Sequence, residues 1–474
     1  MENGIDFSSF VQEHLKSKSI NDQEALALAI GFNPQLERNF RLNQLKLAAK
    51  NQDLLIRRAA LTGLGFSTLV DPKRGDEQKK ALNNYLDDPL TTTRITAAIA
   101  LGINSFFSNN KKFQKKGYNE FRKKIKRSDF VVKQGYSVGL GLLAKYPETR
   151  TESLRAIFEA FNPVDMGMGN PDYYLVGLTL TAINAERAEE GFDFIFDMII
   201  PHLSNKESRR IAMICTAFLL PLIPDPAIRV EKLEKIIQMG IEFHSKFGTD
   251  SALVLTYISL LQDKKHQENF LIRLLGFKGL DPDYDQIFTI LKENKNTIDI
   301  IQALLMCNTL DIKAAGITAS FFLESEDQPD IGSFIQEGLQ QQGSGYFDRF
   351  LVLLRTFSFI LKNKEYNRIT DMEPFFHSND QRVKKFSGLS YACLKAIDPE
   401  NREKGLQEVY SLLKTEADEH VRWGLLVGIS MYDSVGKNIL DDELIIGLLL
   451  LCLGFIDIST LLLLSQAMIS KFYQ

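Results

Sequence analysis

Asp53-Leu-Leu-Ile-Arg57-Arg-Ala-Ala-Leu-Thr-Gly63-Leu-Gly65 and Asp129-Phe-Val-Val-Lys133-Gln-Gly-Tyr-Ser-Val-Gly139-Leu-Gly141 are two copies of one pattern, and its reading decides the fold. An acidic residue is followed four positions later by a basic one, then by a run of small and aliphatic side chains. Asp380-Gln-Arg-Val383-Lys384 and Asp418-Glu-His-Val421-Arg422 open two more copies, and three further segments align without the leading Asp, at Arg94, Tyr173 and Arg210. Within each run the anchors (57, 94, 133, 173 and 210, then 384 and 422) recur every 37–40 residues. Six positions after each anchor the residue is small: Gly63, Ala100, Gly139, Thr179, Thr216, Ser390 and Gly428.

That spacing accommodates two helices of roughly 12–15 residues and two turns, one helical hairpin per repeat. The Asp is suited to cap the second helix, where its carboxylate accepts from free N–H groups. Glycine inside a helix costs up to about 1 kcal/mol relative to alanine. A small residue held at one register therefore predicts close backbone approach between stacked helices. A lone hairpin cannot bury its apolar face, so neighbours must stack.

Asp-x-x-Val-Arg followed by an Ala/Gly-rich helix resembles the opening of the second helix in the HEAT repeat. The Gly-Leu-Gly forms at 63–65 and 139–141, and Gly388-Leu-Ser-Tyr-Ala-Cys-Leu394, resemble the related proteasome/cyclosome repeat. The resemblance covers 50–220 and 375–435; between 220 and 370 only helical amphipathicity carries the reading. It implies an all-α, armadillo-like fold: a right-handed α-α superhelix, a solenoid of about eleven helical hairpins. It further implies a non-catalytic protein-interaction scaffold, with a subunit of a proteasome-like regulatory complex as one setting. HEAT-like solenoids also include DNA glycosylases and lyases, so a nucleic-acid binder or enzyme of that kind is the alternative, and a membrane-associated trafficking scaffold a third.

The chain has 474 residues, of which 45% are hydrophobic and 24% charged, with a net charge of −4. These values exclude a disordered, collagenous or disulfide-built protein. The organisation expected is N-terminal capping helices over 1–48, repeats over 49–339, and C-terminal repeats with apolar terminal helices over 346–474. The soft boundary is Gln340-Gln-Gln-Gly-Ser-Gly345. Ser19-Ile-Asn21-Asp22 opens one capping helix and Gly31-Phe-Asn-Pro34 ends it. Cys215, Cys307, Cys393 and Cys452 are far apart in apolar runs, which reads as reduced, packed thiols and a cytosolic location.

Chemistry-bearing motifs are absent. Gly436-Lys437-Asn438 lacks the upstream glycine and the hydroxyl of a phosphate-binding loop, the six His are scattered singly, and no Gly-x-Ser-x-Gly elbow occurs. No catalytic, cofactor-binding or metal-ligating residue is assigned.

Three features are candidates for binding. The segment 111–127 holds Lys111, Lys112, Lys115, Lys116, Arg122, Lys123, Lys124, Lys126 and Arg127 against Glu120 alone, with Phe113, Gly117, Phe121 and Ile125 as a stripe at helical spacing. It reads either as a solvated helix face or as a dock for an acidic protein, anionic lipid or RNA phosphate. Trp423, the single tryptophan, is either an interface hot spot or a structural side chain. Leu444–Ile456 is thirteen residues without a polar side chain, interrupted by Asp457. It is short of the roughly 20 residues a membrane span wants. Leu444, Leu448 and Phe455 would then belong to a C-terminal interface covered by a partner, a second copy or the chain's own N-terminal end. The anchor Arg/Lys ladder either lines a groove or pairs with the Asp of the next repeat.

Overall fold

The computed structural model describes residues 19–243, 282–307, 350–360 and 364–435, apart from scattered single positions within those spans. The described residues are helical throughout, with no strand among them. In chain order the helices are α1 (Ile20–Phe32), α2 (Arg38–Ala48), α3 (Leu54–Val70), α4 (Gly75–Asn83), α5 (Thr91–Phe106), α6 (Lys111–Lys124), α7 (Phe130–Leu143) and α8 (Arg150–Glu159). They continue with α9 (Pro163–Met168), α10 (Asp172–Asn184), α11 (Ala188–Asp193), a π-helical turn (Phe194–Ile199), α12 (Lys206–Leu219) and α13 (Pro226–Phe243). Then come α14 (Pro282–Glu293), α15 (Thr297–Leu305), a 3₁₀ segment (Tyr366–His377), α16 (Gln381–Ile397), α17 (Arg402–Thr415) and α18 (Glu419–Val435). The soft boundary at 340–345 lies outside the described residues.

The expected caps form. Asp53, Asp129 and Asp380 accept from the second and third N–H groups of α3, α7 and α16, and Asp418 accepts from His420 and Val421. Such a cap is worth about 1 kcal/mol. Ser19 caps α1 in the same way.

The anchors Arg57, Arg94, Lys133, Lys384 and Arg422 each sit at the fourth helical residue, whereas Tyr173 is the second residue of α10. Arg57 donates to the Asn51 carbonyl behind it and pairs with Asp88 at 3.2 Å; Arg94 donates to the Leu86 carbonyl and pairs with Asp129. Lys133 pairs with Asp165 at 2.9 Å and Lys384 with Asp418. The ladder therefore joins successive hairpins. In α12 the fourth position is Arg209, which donates to the Leu203 carbonyl, so the alignment on Arg210 slips by one residue. Without a leading Asp the sequence did not mark where that helix starts.

The helices that carry the anchors, with α1 among them, pack on one another in the order α16, α18, α1, α3, α5, α7, α10, α12. Small residues set the spacing, as the register predicted. A Cβ on Gly31 would lie 2.5 Å from the Gly63 Cα, and one on Gly102 would lie 2.6 Å from the Gly139 Cα. The partner helices α4, α6 and α8 lie beside this layer and meet each other through long side chains: Lys79 with Glu120, Arg122 with Glu152 at 2.8 Å, and Lys126 with Glu159.

One junction joins residues about 400 positions apart. α1 was expected to be a terminal cap, but α18 packs against it on one side and α3 on the other. Every residue of α1 from Glu24 to Phe32 is buried. Ser19 donates to Glu419 at 2.9 Å, Lys385 pairs with Glu24 at 2.7 Å, and the anchor Arg422 reaches Asp22 at 3.5 Å. Arg422 thus treats α1 as the next hairpin in the ladder.

Candidate functional site

α6 is held from beneath and bare on top. Asn110 caps it by accepting from Lys112 and Phe113. Phe113, Gly117, Tyr118 and Phe121 face inward, followed by buried Ile125 just past the helix end. Gly117 lets α6 settle on α5: a Cβ there would lie 2.6 Å from the Ser105 hydroxyl.

The nine cations of 111–127 divide into two sets. Lys124 bonds Glu120 at 2.8 Å within the helix, and Arg122 and Lys126 bridge to Glu152 and Glu159 of α8. Burial works to raise the Glu120 carboxyl, but bonds from Lys124 and Lys79 outweigh it and hold it below its ordinary value. Glu159 is lowered chiefly by its bond from Lys126. Lys111, Lys112, Lys115, Lys116, Lys123 and Arg127 are exposed and make no ion pair among the described residues.

Four of those six lie in the first two turns of α6, and the first turn holds no acid. The helix macrodipole places partial positive charge at that end and fades within one turn, so Lys111 and Lys112 are each unfavourable by about 0.3–1 kcal/mol at low salt. An ordinary solvated face would gain stability from acids at those positions. The arrangement costs the fold and supplies a concentrated positive field.

A second exposed cluster was not foreseen. Phe158 stacks on Phe194 with ring centroids 4.1 Å apart, Phe161 meets Phe194 edge-on at 5.3 Å, and His202 lies 6.2 Å from Phe161. The three Phe rings are partly buried, His202 is exposed, and Val164 and Met198 nearby in the chain are 58% and 45% exposed. The sequence signal was Phe192-Asp-Phe-Ile-Phe196, whose alternate spacing cannot share one face of an α-helix. The π-helical turn re-aims these rings, and such turns are frequent at functional sites.

Trp423 is 3% exposed, so it is not presented to an outside partner. The Lys385 ammonium lies 4.8 Å over its ring while bonding Glu24, so Trp423 belongs to the α18–α1 junction. The indole Nε1 and the His420 Nδ1 have no hydrogen-bond partner among the described residues. Leu444, Leu448 and Phe455 lie outside the described residues.

A cleft of about 550 Å³ opens between the 3₁₀ segment, α16 and α17. Several of its charges are engaged internally: Lys395 bonds Glu408 at 2.7 Å, and Asp398 accepts from the Glu400 and Asn401 N–H groups. Cys215 and Cys393 are buried free thiols, and burial pushes the Cys215 thiol up to about 12, far from a reactive thiolate. No group of His, Cys, Asp and Glu among the described residues could hold a metal ion, and none of the described helices is long and apolar enough to cross a membrane.

No family model and no curated protein matches this chain.

Proposed function

We propose that this protein is a non-catalytic interaction scaffold, a HEAT-like stack of helical hairpins that presents α6 to an acidic protein partner. The observation that carries the reading is the six unpaired cations, five on α6 plus Arg127, with Lys111 and Lys112 placed against the helix dipole. The stack would be curved: glycines bring the capped helices together, whereas long ion pairs span the wider layer beside them. Curved hairpin stacks offer extended surfaces to partners. The buried free thiols support a reducing compartment, the cytosol.

The test is binding of a fluorescent peptide of about twelve glutamates, measured by anisotropy across a salt titration. The variant with Lys111, Lys112, Lys115 and Lys116 all changed to Glu is expected to lose that binding. The same variant is expected to unfold at higher temperature at low salt, because acids now face the positive end of the helix. Loss of binding with gain of stability separates a binding role from a structural one. Unchanged peptide binding in the variant refutes the proposal. Tighter binding of duplex RNA than of the peptide, falling steeply with salt, would favour phosphate as the ligand instead.

A further inference from the structure

The surface that begins on α6 continues onto α8 through ion pairs. Lys126 bonds Glu159, and the residue before Glu159 is Phe158, whose ring stacks on Phe194. Arg155, one turn earlier on α8, is exposed and pairs with Glu152 at 3.9 Å. The C-terminal end of α6, the C-terminal end of α8 and the π-helical turn therefore form one edge. Along it, free cations give way to part-exposed aromatic rings.

The two halves differ in chemistry. Lys112, Lys116 and Lys123 recur at helical spacing on the exposed face of α6, with Arg127 just beyond its end. Phe158, Phe161 and Phe194 are part-exposed rings packed against the core, and Val164 and Met198, close to them in the chain, are exposed. Asp197 is an exposed carboxylate within the π-helical turn. It repels acid from the aromatic half, which gives the edge a direction.

From this juxtaposition we infer that the partner is an acidic segment ending in large apolar side chains, its carboxylates on Lys112, Lys116, Lys123 and Arg127 and its apolar end on Phe158, Phe161 and Phe194. This rests on the scaffold reading above and adds the class of partner. α6 is about 20 Å long, and two helix spacings of about 10 Å separate it from the π-helical turn. An extended segment spans that distance with about twelve residues. The acidic part supplies encounter rate and orientation, and the apolar end supplies retention, since burying one large apolar side chain outweighs an exposed ion pair.

Two labelled probes test the inference: the polyglutamate peptide, and the same peptide extended at its C-terminus by Gly-Ser-Leu-Phe-Leu-Phe. The extended probe is expected to bind about tenfold tighter or better. Val164→Ser with Met198→Gln, both neutral changes at exposed positions, should remove that advantage and leave polyglutamate binding unchanged. Reversal of the four lysines of α6 should weaken both probes. Equal affinity for the two probes, or an advantage that survives the Val164/Met198 variant, overturns this inference while leaving the scaffold reading standing. Failure of both probes to bind overturns both.

Discussion

At the scale of single residues, two kinds of side chain set this architecture. The first is the capping Asp, which fixes where a helix begins and so places the anchor at its fourth position. The second is the glycine that permits close packing. Gly424 is the tightest case: a Cβ there would lie 2.6 Å from the Leu389 amide nitrogen and closer still to the Lys385 carbonyl oxygen. Both atoms belong to the backbone of α16, so neither helix can yield cheaply. Gly424→Ala is expected to destabilise the protein by about 3 kcal/mol, within the range for overpacking. Gly117→Ala meets only the Ser105 side chain and should cost less. Urea denaturation of the two variants would rank them, and equal midpoints would contradict the close-packing account.

The residue scale was also where the sequence was most legible. Asp53, Asp129, Asp380 and Asp418 were readable as caps, and the free lysines of α6 were readable as a basic run. Which of the nine cations were free was not readable. Arg122 and Lys126 find their partners on another helix, at Glu152 and Glu159, and nothing local in the sequence announces that pairing.

Among elements, the α18–α1 junction carries the most consequence. Lys385 sits between the Glu24 carboxylate, 5% exposed, and the Trp423 ring. Lys385→Met keeps the hydrocarbon stem but leaves Glu24 buried without its cation. Removing one partner of a buried pair costs about 3–5 kcal/mol. The variant should lose amide-exchange protection in α1 and α18 together, although they are about 400 positions apart in the chain. Loss confined to α16 and α18 would show that the junction is not a cooperative contact. A signal for this junction was present in the sequence. Glu24-Ala-Leu-Ala-Leu-Ala-Ile30 is apolar almost all round, the mark of a helix buried on every side and the opposite of a terminal cap.

For the molecule as a whole, the junction links the two ends of the described chain, so its titrating groups contribute to global stability. Hydrogen bonds from Ser19 and Asn21 hold the Glu419 carboxyl below its ordinary value. Asp418 is likewise lowered: burial opposes this, but bonds from Lys384 and from the Val421 and His420 amides prevail. Burial, then the charge of Lys385, lowers the His420 imidazole, while Asp418 and Glu419 pull the other way. In all three cases the unfolded chain takes up the proton first, so stability is complete at high pH and falls on acidification. The melting temperature should begin to decline below about pH 6.5 as His420 contributes, and fall further below about pH 4 as the carboxylates do. Melting curves from pH 8 to pH 3 check this, and in His420→Gln the first decline should be absent. A first decline that persists in His420→Gln would assign it elsewhere.

The sequence by itself determined the helical repeats, because capping, helical spacing and small-residue register are local properties written within about 40 residues. It also determined where positive charge accumulates. Only the tertiary structure decided that α18 packs on α1, that Trp423 is buried, and that an aromatic edge continues from the basic helix. Each of these joins residues that are distant in the chain or re-aimed by a π-helical turn. Periodicity states which face a helix buries, but only packing decides which neighbour covers it and what is left exposed.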